Sequence, residues 1–189
     1  MEEPSSDNSL ALKETESNSI LTSSFESESP VSQNLKNHIV NAIVSNLNEI
    51  IEDNNRDNNK YIRKDNVFYL DQLPPISLKN YIWHLVTYTE MDFSTLIISI
   101  IYIDKFCEKN NYFLSLNNVY RLLLISIFIS LKYNEDKKVN LGTYAYIAGV
   151  SIADLKMLEH QMCNALHFEF FVQSDYYQEY FSYFCKYSS

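Results

Sequence analysis

Glycine occurs twice and proline four times in 189 residues. A chain so poor in turn formers does not build the many short strands and tight hairpins of an all-β domain, and it has no glycine-rich loop to cradle a phosphate. ATP chemistry within the chain is therefore not expected. Cysteine is also scarce. Cys107, Cys163 and Cys185 are odd in number and lack framework spacing, and the first residues carry no secretory pattern. They read as reduced thiols of a cytoplasmic or nuclear protein. Uninterrupted apolar runs are short: Leu96–Ile103 is broken by Ser99 and Leu122–Ile129 by Ser126. Both fall well below the ~20 residues of a spanning helix, so the expectation is a soluble chain with no membrane partner.

Basic charge is missing from one end. Residues 1–30 hold seven acids against the single base Lys13, whereas residues 76–172 hold nine acids and eight bases. Much of the net charge of −9 thus belongs to a Ser/Glu-rich tail, expected to be disordered because it cannot bury enough apolar area. Such a tail serves equally as a solubilising extension or as a carrier of phosphorylation sites. The near-neutral body offers no basic face, so no nucleic-acid partner is expected.

What is abundant is apolar and aromatic side chain, 46% and 14% of the residues, arranged at helical spacing. Ile39/Val40, Ile43/Val44, Leu47 and Ile50/Ile51 predict a first helix over about 33–52. The Asn-rich stretch Asp53–Asn66 reads as a loop or linker. Pro74 and Pro75 punctuate the start of a helix reaching about Thr87. Asp92 is placed to cap a helix to about Glu108, and Ser115 another to about Lys132. The latter is apolar almost all round, which requires a central position among other helices. A short helix over about Asn140–Ala148 is closed by Gly149, Ser151 and Asp154 open the next in capping-box fashion, and Tyr176–Phe184 forms the last. The β-branched runs Ile97–Ile103 and Ile125–Ile129 could be buried strands, but each lies in a segment too long for one.

Several motifs stand in a fixed order. YIDKF (Tyr102–Phe106), VYRLLLI (Val119–Ile125), SLKYNED (Ser130–Asp136), NLGTYAYIAGVSIADLKMLE (Asn140–Glu159) and LEHQMCNALHFEF (Leu158–Phe170) together resemble the cyclin box, and specifically its P/U-type branch. The resemblance spans about Pro75–Val172. It implies an all-α fold: a cyclin-box five-helix bundle with flanking N- and C-terminal helices. The organisation expected is a tail over 1–30, an N-terminal helix and linker over 31–66, and the box with its C-terminal helix over 67–189. The implied role is a non-catalytic regulatory subunit that binds and activates a cyclin-dependent Ser/Thr protein kinase. Lys132 and Glu159 would bond to the kinase, and Tyr133, Phe168 and Phe170 would add apolar contact. No cofactor is implied.

Where the branch has an arginine able to pair with the aspartate matching Asp104, this chain offers His84, which would make that tie weaker or pH-sensitive. Lys156 and Ala148 replace an asparagine and a glycine usual in the branch. No substrate-docking element of the Met-Arg-Ala-Ile-Leu kind is present. Within their own segments Lys132 and Glu159 lack partners, so each either snorkels to water or awaits a partner from another molecule. His160, Cys163 and His167, at i, i+3 and i+7, could be imagined as zinc ligands, but no fourth ligand has a motif-like spacing. Two other readings belong to different classes: a cyclin-fold scaffold for a non-kinase partner, and a transcription-factor-IIB-like nucleic-acid-binding module.

Overall fold

In a computed structural model, described over residues 30–57 and 62–187 with side chains from Gln33, seven helices follow one another. They are α1 (Pro30–Arg56), α2 (Leu78–Thr89), α3 (Phe93–Asn110), α4 (Leu116–Asn134), α5 (Leu141–Ala148), α6 (Ile152–Ala165) and α7 (Ser174–Lys186). No strand occurs among the described residues, so the β-branched runs are helical. Burial on all sides outweighs their modest strand preference. The acidic tail over 1–29 lies outside the described residues.

Helix α4 is the axis of the bundle, buried continuously from Val119 to Tyr120 and from Leu122 to Leu131. It packs chiefly against α3 and also against α2 and α6, while α5 bridges α2 and α6. The all-round apolar pattern allows no other place for it. Of its two buried serines, Ser130 donates its hydroxyl to the Thr95 carbonyl of α3 at 2.9 Å, whereas the Ser126 hydroxyl makes no hydrogen bond among the described residues.

The helix ends follow local chemistry. Ser77 and Ser151 accept from the backbone N–H groups of Asn80 and Asp154, and Asn140 accepts from Thr143 N–H. Gly149 closes α5 at φ 70°, a conformation glycine adopts without a Cβ penalty. Helix α1 runs past the expected end at residue 52, and Arg56 pairs with Glu52 and Asp53 one turn back. Its Asn54 is buried and donates to the Leu114 carbonyl at 3.0 Å. The irregular segment leading to α2 is also pinned. Asn117 and Leu70 exchange two bonds of 2.7 Å, and Arg121 donates to the Val67 carbonyl at 2.6 Å. Helix α7 lies along α3 and is tied to α1 by His38 on the Cys185 carbonyl and Asn46 on the Tyr183 hydroxyl.

Candidate functional site

The end of α4, the middle of α6 and the turn after α6 converge on one surface. Lys132 lies in the last turn of α4, where its charge suits the helix dipole. Its Nζ is 2.5 Å from Glu159 Oε1 and 5.1 Å from the Phe128 ring centroid. The two charges that lacked partners within their own segments are thus partners of each other. Sequence reading missed this because α4 and α6 meet only in the folded bundle. Glu159 is the more enclosed, 23% exposed at the side chain against 48% for Lys132.

The aromatic residues divide. Tyr133 and Phe168 are exposed. Phe170 is buried, its ring centroid 5.7 Å from Tyr102 and 5.6 Å from Tyr133. It forms the floor beneath Tyr133, not an outward anchor. The ring that does point outward beside it is Phe171, 71% exposed. The periodic pattern could not distinguish the two neighbours, because they sit in a turn with no helical or strand period.

Beneath this surface runs a chain of hydrogen bonds. Glu135, its side chain only 4% exposed, accepts at Oε1 from the Asp92 backbone N–H (3.0 Å) and the Thr95 hydroxyl (2.6 Å). Asp92 holds the N-cap position of α3, but its own side chain makes no capping bond. The anion that complements the α3 N-terminus comes from the end of α4. Lys137 Nζ stands 3.8 Å from the other Glu135 oxygen. Asn134 donates to the Ser130 carbonyl at 3.0 Å and to the Tyr102 hydroxyl at 3.4 Å, and Tyr102 in turn donates to the Phe170 carbonyl at 2.8 Å. Burial pushes the Tyr102 hydroxyl up to about 12, against a smaller opposing effect of Asn134, so it stays a proton donor. Glu135 of SLKYNED is therefore a cap for α3, and Asn134 a link to the turn that carries Phe170.

His84 and Asp104 are not partners. His84 Nε2–H donates to the Ile147 carbonyl at 2.8 Å, while Asp104 accepts from the Tyr180 hydroxyl of α7 at 2.8 Å. The short reach of an imidazole favours the nearby α5 end, and a tyrosine fills the place expected of a base. Burial raises the Asp104 pKa above the ordinary carboxylate range, the Tyr180 bond opposing it in part. His160, Cys163 and His167 do not share a helical face either, because α6 ends at Ala165 and His167 lies beyond it at φ 54°. Among the described residues no three His, Cys, Asp or Glu side chains are grouped to hold a metal, and no helix is long and apolar enough to cross a membrane.

Residues 2–170 match the family model described as Cyclin. The chain is 31% identical over 118 residues to Cyclin-U2-1 of Arabidopsis thaliana, covering 62% of this chain and 53% of that protein. It is 34% identical to Cyclin-U4-3 of the same plant, over 51% of this chain and 44% of the relative. With Cyclin-P3-1 of Oryza sativa subsp. japonica the identity is 26%, over 59% and 48%. The chain spans about half the length of the curated relatives it matches.

Proposed function

The chain belongs to the cyclin family, in its P/U-type branch, and on that premise we propose that it binds and activates a cyclin-dependent Ser/Thr protein kinase through the surface around Lys132 and Glu159. One observation carries this reading. A charge pair linking the end of α4 to the middle of α6 is flanked by Tyr133 and Phe168, two exposed rings. Aromatic anchors beside a fixed charge pair suit a protein partner: the rings supply buried area and the charges set register. Phe170 supports Tyr133 from below. The chain then acts without catalytic residues of its own. A kinase is active when the helix carrying the glutamate partner of its nucleotide-binding lysine is held inward. A subunit that binds only this state raises its population by its differential affinity.

Affinity capture from native lysate, with the wild-type chain and the Lys132→Glu/Glu159→Lys exchange side by side, tests the proposal. The expected result is a Ser/Thr kinase retained by the wild type alone, whose peptide phosphorylation rises when purified wild-type chain is added back. Equal recovery of non-kinase proteins by both chains would replace this reading with that of a scaffold.

A further inference from the structure

Directly after α6 two consecutive non-glycine residues, His167 (φ 54°) and Phe168 (φ 59°), occupy the left-handed region. A side chain disfavours that conformation through contact of its Cβ with the backbone, so it persists only where surrounding contacts over-determine it. The His167 and Phe168 amides bond back to the Asn164 and Cys163 carbonyls of α6, both at 3.0 Å, and α3 holds the three residues that follow. Tyr102 donates to the Phe170 carbonyl at 2.8 Å, Lys105 Nζ donates to the Phe171 carbonyl at 3.2 Å, and Lys109 forms an ion pair with Glu169. Positions 102, 105 and 109 are three and four residues apart and form one stripe along α3. Each grips a different residue of the turn. The strained backbone aims the Phe168 and Phe171 rings at solvent, 65% and 71% exposed, and turns Phe170 inward.

We propose that the α3 stripe Tyr102–Lys105–Lys109 is a clamp that holds the strained turn 167–171 in its partner-binding shape, and that Phe171 joins Phe168 as an anchor for the kinase. The inference rests on the kinase-binding reading above, which supplies the partner these rings meet. Its physical basis is preorganisation. A turn ordered before encounter loses little further freedom on binding, so its anchors contribute more of their buried area to affinity. Three side chains from one rigid helix, directed to main-chain or acidic groups of the three consecutive residues Glu169, Phe170 and Phe171, fix the direction of the phenyl rings in this turn. The three α3 residues are positioning residues that act through the turn, and Phe171 makes the contact.

The test uses the full chain and the kinase recovered in the capture experiment. Hydrogen exchange of the free chain reads the turn through the Phe168, Glu169 and Phe170 amides, which are bonded to the Cys163, Leu166 and Phe168 carbonyls. Calorimetry reads kinase affinity. The Tyr102→Phe chain is expected to exchange these amides about tenfold faster, the scale of losing one buried hydrogen bond, and the Lys105→Met/Lys109→Met chain about two- to fivefold faster, the scale of exposed contacts, with α4 amides unchanged. Kinase affinity should fall by a similar factor. Lys109→Arg should behave as wild type, and Phe171→Ala should weaken binding while leaving exchange in the turn unchanged. If Tyr102→Phe lowers the melting midpoint of the whole domain, the exposed Lys105/Lys109 variant carries the test. Unchanged exchange overturns the clamp, and so does faster exchange with unchanged affinity. Full affinity in Phe171→Ala removes that residue as an anchor. The Lys132/Glu159 exchange separates the two failures: if it abolishes binding while the clamp variants do not, only the clamp falls. If the exchanged chain binds as wild type, the kinase surface itself is misplaced.

Discussion

Exchanging the charges of Lys132 and Glu159 separates a structural pair from a recognition pair. Either single reversal places two like charges where Nζ and Oε1 now lie 2.5 Å apart. A partly exposed pair of this kind contributes roughly 0.2–1 kcal/mol to stability, and Lys132 adds about 0.5–1 kcal/mol over the Phe128 ring. A loss of about 1 kcal/mol moves the melting midpoint of a domain this size by roughly 2–4 °C, so each single variant should remain folded at 25 °C. At an interface the scale is larger. Truncating one partner of a buried interfacial charge pair costs about 2–5 kcal/mol, or roughly 30-fold to several-thousand-fold in Kd. The double variant Lys132→Glu/Glu159→Lys restores an internal pair of opposite sign order, so its midpoint should return towards wild type while its kinase affinity stays low. Thermal melts and isothermal titration on the same four proteins provide both readings. Recovery of wild-type affinity in the double variant would refute the reasoning, because it would mean that the pair acts only inside the bundle.

Other outcomes follow from the buried polar groups. Glu135→Ala leaves the Asp92 N–H and the Thr95 hydroxyl without their acceptor and should cost about 1–3 kcal/mol in urea unfolding, with Glu135→Gln losing less because an acceptor oxygen remains. An unchanged midpoint for the alanine variant would show that α3 is capped by other means. The hydrogen bond from Lys109 draws Glu169 below the ordinary glutamate range, with Lys109, His167 and Lys105 charges in the same direction. A carboxylate lowered in the fold keeps its tie above the unfolded pKa and loses it as pH falls through the folded one. In carboxyl-carbon NMR titration the Glu169 midpoint should therefore lie below that of a free glutamate and rise in Lys109→Met. Burial raises Asp104, whose ionised form is the disfavoured one in the fold. Stability tied to it should grow as pH falls through the raised pKa. Asp104→Asn keeps an acceptor for Tyr180 and should melt at or above wild type at pH 7, the gap closing on acidification. A loss of more than about 1 kcal/mol would indicate a charge partner for Asp104.

Helix positions were legible in the chain because they depend on neighbours in sequence. The apolar spacing of α4 required a central helix, and Asn140, Gly149 and Ser151 marked ends that the backbone then adopted. The extent of α1 was not legible, since Asn54 reads as a linker residue until it meets the Leu114 carbonyl 60 residues away. Motif order also identified the family and pointed to Lys132, Tyr133, Glu159, Phe168 and Phe170. Tertiary structure alone decided what each of these does within the fold. It pairs Lys132 with Glu159, turns Phe170 inward and Phe171 outward, makes Glu135 the cap of a distant helix and gives Asp104 to Tyr180 in place of His84. The physical reason is range. Capping and periodicity act over one or two turns of chain, whereas these contacts join residues 27 to 76 positions apart, and their geometry exists only once the helices have packed.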